Sequence, residues 1–201
     1  RRRVSGELWV QGQRTGSGYN FAAEGTLTLR PVSSLELQLL PQIYFSFGEP
    51  RYIGSGSQEN ELHLGRLQAS SIGATARATY AFTTRLTVQV YGQLLLAVRH
   101  YDSFFSYRRP LDEARPAIRL SELMPAAAPR ENPDSSDPVL NVSAILRWEY
   151  LPGSALFVVY SRSQGATGTY QPGGAAVLDL GILSRRTGSE ALLLKWSHWY
   201  G

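Results

Sequence analysis

Side chains able to do acid–base or metal chemistry are few in this chain. His63, His100 and His198 are its only imidazoles, and it has no cysteine. None of the three stands at a metal-ligand spacing from another histidine or from carboxylates, so no metal and no cofactor are expected. The missing cysteines remove disulfides, thiolate ligands and thiol nucleophiles together. Ser103 follows His100 by three residues and Ser197 directly precedes His198, which allows a Ser–His pair on an exposed wall. Such a base needs a third group to orient it, and no motif supplies one, so no enzyme is expected. Asn132 to Asp137 reads NPDSSD, which has carboxylates without calcium-loop spacing and predicts a solvated turn. Gly165 to Gly174 is glycine-rich with no P-loop lysine after it, so no phosphate cradle is implied.

Six charged residues form a second constellation. Glu7, Glu24, Glu36, Arg77, Arg147 and Glu149 all occupy the polar parity of alternating segments. They are candidates for a charged ladder facing the lumen of a barrel, where they would line a conduit or seat a plug and set charge preference. The same residues as cross-strand ion pairs would fill the lumen and fix register. The formal charge of +4 is scattered over Arg1, Arg2, Arg3, Arg108, Arg109, Arg185 and Arg186 rather than gathered into a stripe, so no nucleic-acid partner is expected.

What must position these groups is extended chain. Leu86 to Val98 reads LTVQVYGQLLLAV, with Leu86, Val88, Val90, Leu94, Leu96 and Val98 on one parity and Thr87, Gln89, Tyr91 and Gln93 on the other. A two-residue period sends successive side chains to opposite sides of a sheet, so one row meets an apolar medium and the other a wetter one. Leu35 to Phe47 and Leu140 to Tyr150 repeat the pattern. Further strands are expected over Val4–Gly12, Tyr19–Arg30, Glu61–Phe82, Ala155–Arg162 and Glu190–Tyr200, about eight in all. Arg66, Gln68 and Ser70 fall on the apolar parity of the fourth and predict a bulge there. With 43% hydrophobic residues the chain supports one substantial domain over 1–201. No run approaches the roughly 20 apolar residues of a membrane helix, which leaves a β-barrel open.

Turn lengths are unequal. Short connections at Pro31–Ser34, Thr83–Arg85 and Leu151–Ser154 fall at one end of an up-and-down path, and long loops near 48–60, 102–138 and 164–189 at the other. Outer-membrane barrels carry short periplasmic turns and long external loops. The proline-rich stretch Asp102–Pro138 is expected to hold no central strand, and one helical turn is expected near Leu178–Leu183. The apolar rows end in aromatics, Tyr80 and Phe82, Trp148 and Tyr150, Trp196 and Tyr200, as suits headgroup level. An opening at Arg1 without methionine or signal segment suggests a mature or truncated piece of something longer.

The segment Asn141 to Ser161, NVSAILRWEYLPGSALFVVYS, resembles the signature hairpin of an uncharacterised bacterial outer-membrane β-barrel family. Arg147, Trp148, Glu149, Tyr150, Pro152, Gly153, Ser154, Leu156 and Phe157 carry the match. Ala76 to Leu95 and the ending LLKWSHWY resemble it also. Longer members of that family carry an N-terminal domain resembling family-9 carbohydrate-binding modules, which is absent from this chain. The resemblance implies a fold and a location but no reaction.

The expectation is therefore an all-β, antiparallel up-and-down transmembrane barrel of about eight strands, or the C-terminal half of a larger one, in a bacterial cell outer membrane. Its role would be non-enzymatic, a pore, transport or surface-structural one. Its partners would be outer-membrane lipid, the barrel-assembly machinery and an N-terminal periplasmic or carbohydrate-binding domain. Trp196, Trp199 and Tyr200 would form the terminal assembly signal. The rival is a soluble lipocalin-like or β-sandwich domain binding a small ligand, with Leu86, Val88 and Val90 facing inward.

Overall fold

The alternating segments form one antiparallel sheet. The computed structural model describes residues 3–56, 60–110, 118–169, 179–185 and 187–200. The strands are β1 (Val4–Arg14), β2 (Tyr19–Val32), β3 (Leu35–Ser55), β4 (Glu61–Ala81), β5 (Leu86–Arg108), β6 (Met124–Pro125), β7 (Ser135–Leu151), β8 (Ser154–Gly165), β9 (Gly168–Thr169) and β10 (Ser189–Ser197). Hydrogen bonding runs in the order β1-β2-β3-β4-β5-β7-β8-β10, with the two-residue strands β6 on β5 and β9 on β7. Consecutive long strands are neighbours throughout, an up-and-down meander. Among the described residues β1 and β10 do not pair with each other, so the sheet is not closed by hydrogen bonds.

The three short turns occur where proline, serine and glycine place them. Ser33 and Ser34 join β2 to β3. At the β4–β5 turn the Thr83 hydroxyl accepts the backbone N–H groups of Arg85 (3.1 Å) and Leu86 (3.0 Å), closing the loop with its own side chain. The β7–β8 turn places Gly153 at φ 77°, a left-handed conformation that costs glycine nothing.

Several expected boundaries are corrected. The loop expected near 48–60 is strand as far as Ser55, because β3 stays paired to β4 through Ser55↔Leu62. Register shifts between Phe47 and Pro50 and between Tyr52 and Gly54 absorb the Gly-Glu-Pro that looked like a stop. The expected bulge in β4 falls in its pairing with β5, between Gly65 and Leu67. The stretch 102–138 is likewise shorter than expected, since β5 continues to Arg108 and β7 begins at Ser135. Pro138 lies inside a central strand, opposite Leu96. Its carbonyl accepts the Ala166 N–H on the β8 side, where β8 has already ended at Gly165, so its missing N–H removes no bond to β5. Over 164–189 the strands take Gln164, Gly165, Gly168, Thr169 and Ser189, and the helical turn expected near Leu178–Leu183 falls at Gly181–Ser184. Arg1, Arg2, Arg186, Leu178 and the second half of the glycine-rich run, 170–174, lie outside the described residues.

No buried layer forms between two faces of this sheet. Among the described residues only Leu64, Val98, Tyr107, Ala155 and Leu183 are buried hydrophobics. Central-strand residues Leu39, Ile72 and Val90 remain 45%, 48% and 44% exposed, values a sandwich core would not leave.

One close approach anchors the end of the sheet away from the short turns. Gly48 has φ 89°, and a Cβ there would meet the Ser17 carbonyl at 2.6 Å. Gly48→Ala is expected to destabilise the fold by about 1–2 kcal/mol from the left-handed backbone alone, with the steric contact adding to it. Equilibrium unfolding in urea checks this, with Gly92→Ala, where a Cβ meets nothing within 4 Å, as the matched control.

Candidate functional site

Register assembles the alternating side chains into rows that cross the whole sheet. Val4, Leu29, Leu37, Ala78, Val90, Ala144, Tyr160 and Leu192 lie opposite one another in one such row. Two positions along, Leu35, Tyr80, Val88, Leu146, Val158 and Leu194 share another. Val10, Ala23, Ile43, Ile72 and Leu96 share a third. These rows define an apolar face. The alternate rows are polar: Ser5, Thr28, Gln38, Arg77, Tyr91, Ser143 and Ser161 stand in one.

Polar contacts follow the rows. The Ser163 hydroxyl donates to Asn141 Oδ1 at 2.8 Å, and Asn141 Nδ2 donates to Gln93 Oε1 at 3.4 Å, a chain across three strands. The Arg77 guanidinium lies over the Tyr91 ring at 5.7 Å from its centroid. On the apolar face the contacts are aromatic and gather at two levels. Tyr80 and Phe82 meet edge to face at 4.7 Å near the short turns, with Trp148 and Tyr150 at 6.1 Å. Toward the opposite ends, Tyr19 packs on Phe47 at 5.2 Å and Phe21 on Phe45 at 6.5 Å.

All six candidate charges share the polar face, but they do not join into a ladder. Arg147 Nη2 donates to Glu149 at 2.8 Å within one strand. That bond, with the Gly153 N–H, holds the Glu149 carboxyl below its ordinary range at the turn end of β7, beyond Trp148. Glu36 takes its partner from Arg30, at 2.6 Å across the β2–β3 turn. Arg30 was missed in sequence because it belongs to the last residues before a turn, where pairing departs from simple alternation between Leu29 and Val32. Arg77 stacks on Tyr91 instead of pairing, and Glu7 and Glu24 lie in separate rows opposite Thr26 and Gln42.

The histidines are held more firmly than their spacing implied. Asp134 is 3% exposed; one carboxylate oxygen lies 2.5 Å from His100 Nδ1, and the other accepts the Tyr101 N–H at 2.9 Å. The expected solvated turn at 132–137 is therefore a buried tie followed by strand, with Ser135 and Ser136 buried as well. An orienting carboxylate for His100 exists, found only by folding, because 34 residues separate the two. Among the described residues no serine hydrogen-bonds His100, so the nucleophilic half of a triad is not assembled. His198 Nδ1 lies 2.9 Å from the Tyr150 hydroxyl, which accepts the Trp196 indole N–H at 2.7 Å.

The terminal aromatics are docked. Tyr150, His198 and Trp196 stack, with the His198 ring 6.0 and 5.7 Å from its two neighbours. The Trp199 N–H donates to Ser154 Oγ at 2.9 Å, tying the terminus to the β7–β8 turn. Trp196, Trp199 and Tyr200 nevertheless stay 64%, 72% and 84% exposed.

No family model, curated protein or solved structure matches the chain. Among the described residues no group of three or more metal-ligating side chains occurs, and no helix is long and apolar enough to cross a membrane.

Asp134→Ala would leave the Tyr101 N–H and the His100 ring without their acceptor. The expected cost is about 2–3 kcal/mol, together with release of the segment before β7. Faster tryptic cleavage after Arg119 and Arg130, with β5 and β7 still protected, is the measurable consequence. Unchanged cleavage there would remove the structural role assigned to Asp134.

Proposed function

We propose that this chain is a transmembrane β-barrel region of a bacterial outer membrane, acting without catalysis as a pore, transport or surface-structural element. The observation that carries this reading is the uncovered apolar face bounded by two levels of aromatic side chains. Between them each strand runs for roughly ten residues. At ~3.3 Å per residue and ~40° of tilt, that makes a band about 25 Å tall, the height of the apolar belt on such barrels. In hydrocarbon every backbone N–H and C=O needs an internal partner, which an antiparallel meander provides for all but its outermost edges.

Arg162 and Glu190 stand on the apolar face, paired at 3.2 Å, and barrel geometry accounts for them. Rows run perpendicular to the strands while strands tilt, so a row at mid-height on β3 reaches a rim by β8 and β10. The free outer edges of β1 and β10 fit either closure on each other or pairing with additional strands of a larger barrel. Outer-membrane lipid on the apolar face and the barrel-assembly machinery at the terminus are the partners this reading requires. The family resemblance adds an N-terminal periplasmic or carbohydrate-binding domain. The soluble binding-domain rival would instead turn Leu86, Val88 and Val90 inward, away from any lipid.

The cysteine-free sequence makes the test clean. Spin labels placed singly at Val88, Gln89, Val90 and Tyr91 of the protein in bilayers are expected to alternate, with oxygen collision high at 88 and 90 and a polar relaxer reaching 89 and 91. Uniformly low oxygen collision at 88 and 90, with the protein soluble in plain buffer, would overturn the reading. A second expectation concerns the terminus. Trp199→Ala with Tyr200→Ala should lower the heat-modifiable, membrane-inserted fraction severalfold in a Gram-negative host, and normal insertion would remove the assembly role.

A further inference from the structure

Lipid explains the apolar face, but it does not explain a block of apolar residues on the other one. Ile145, Val159 and Leu193 lie side by side in one row of the polar face, continuing Gln89 across β7, β8 and β10. The adjacent polar-face row is Thr87, Arg147, Phe157 and Lys195. These eight residues line a single cleft of about 340 Å³, toward the small end of ligand-sized pockets. The sequence marks the same anomaly: LFVVY in β8 and ALLLKW in β10 are apolar on both parities, which a strand with one wet face does not need.

The cleft is polarised. Its apolar floor runs along the row of Ile145, Val159 and Leu193. The neighbouring row carries the Lys195 ammonium 5.9 Å from the centre of the Phe157 ring, with Arg147 opposite Phe157 on the other neighbouring strand. Arg147 is already engaged by Glu149. Lys195 forms no ion pair among the described residues, and its row contains no carboxylate. Thr87 and Gln89 add a hydroxyl and an amide at the β5 end. A cation beside a ring, an apolar strip one row away and two neutral hydrogen-bonding groups together complement an anionic headgroup on a short alkyl chain.

The geometry points to a binding site for an anionic amphiphile of the medium-chain carboxylate class on the polar face of β5, β7, β8 and β10. The headgroup sits between Lys195 and Arg147 over Phe157, and the chain lies along Ile145, Val159 and Leu193. The inference rests on the barrel reading in one respect: it takes this face to be turned away from bulk lipid, so that the site is separate from the membrane.

The purified protein in zwitterionic-lipid nanodiscs is titrated calorimetrically with octanoate and, separately, with octyltrimethylammonium, each corrected against empty nanodiscs. Octanoate is expected to bind saturably at one site and the cation not at all. Lys195→Glu is expected to weaken octanoate about five- to tenfold. Val159→Asn, checked for folding by its heat-modifiable migration, is expected to weaken it comparably, while Ser161→Ala in the next polar-face row leaves it unchanged. Octanoate heats equal to those of empty discs, equal binding of the cation, or undiminished binding by Lys195→Glu would each overturn the site. If the protein proves soluble without lipid, the same titration in buffer still decides the cleft, so failure of the membrane reading and failure of the site are read separately.

Discussion

Strand register is the constraint on which the rest of this structure depends. Side chains alternate with a period of two, so a slip of one residue in any pairing would turn a whole strand's apolar row to the polar side. The pairing of β4 with β5 keeps parity unbroken over Ala81↔Thr87 to Ser70↔Val98, and β7 joins β5 in the same sense from Leu86↔Trp148 onward. Because parity is kept at every junction, Leu37, Ala78, Val90 and Tyr160 meet on one face although they come from distant parts of the chain. Shifts of register fall toward the strand ends, at the β2–β3 turn, near Gly48 and Pro50, between Tyr52 and Gly54, beside Arg66, and between Glu149 and Leu151 at the β7–β8 turn. Two-sidedness is thus a property of the ladder of backbone bonds before it is one of any side chain.

The same ladder creates the unfinished edges. Every residue of β1 and of β10 is exposed, and each strand presents one row of backbone groups with no strand beside it among the described residues. A long flat edge of this kind is unstable in water and intolerable in hydrocarbon. The terminus partly answers this: the stacked column of Tyr150, His198 and Trp196 and the bond from Trp199 to Ser154 hold β10 against the β7–β8 hairpin. These contacts stabilise the strand's end but leave its outer hydrogen-bonding side open. That combination explains why the aromatic ending can be ordered and still available to a partner.

The two faces carry different kinds of order. The apolar face is organised by shape, with aromatic pairs at two levels and small side chains such as Ala76 and Gly92 beneath the flanking leucines. The polar face is organised by short-range bonds, the Gln93–Asn141–Ser163 chain, Arg30 with Glu36, and Arg147 with Glu149. Exposed ion pairs of this sort contribute modestly, so their role is to fix local geometry rather than to hold the sheet together. Across β7, β8 and β10 apolar side chains fill three adjacent positions of one polar-face row, which is why that cleft stands out.

Much of the fold was legible in the residues alone. Alternation from Leu35 to Phe47, Leu86 to Val98 and Leu140 to Tyr150 determined the strands and which side chains share a face, because period-two geometry is local and needs no partner. The short turns expected within Pro31–Ser34, Thr83–Arg85 and Leu151–Ser154 were equally readable, since Thr83 closes its turn with its own hydroxyl and Gly153 takes up a left-handed backbone, although Pro31 itself still belongs to β2. What the sequence could not settle was any property set by a neighbouring strand. Gly48 and Pro50 looked like an ending, yet pairing to β4 carries β3 past them. Pro138 looked incompatible with a central strand, yet it sits where β8 has run out. Asp134 looked solvated, yet it is buried against His100 from 34 residues away. The sequence by itself determined the two-faced strand, because the pleat is intrinsic to the chain. Tertiary structure alone decided where each strand stops, which charges pair and where apolar side chains gather on the wet face, because those depend on register between segments that have no local knowledge of one another.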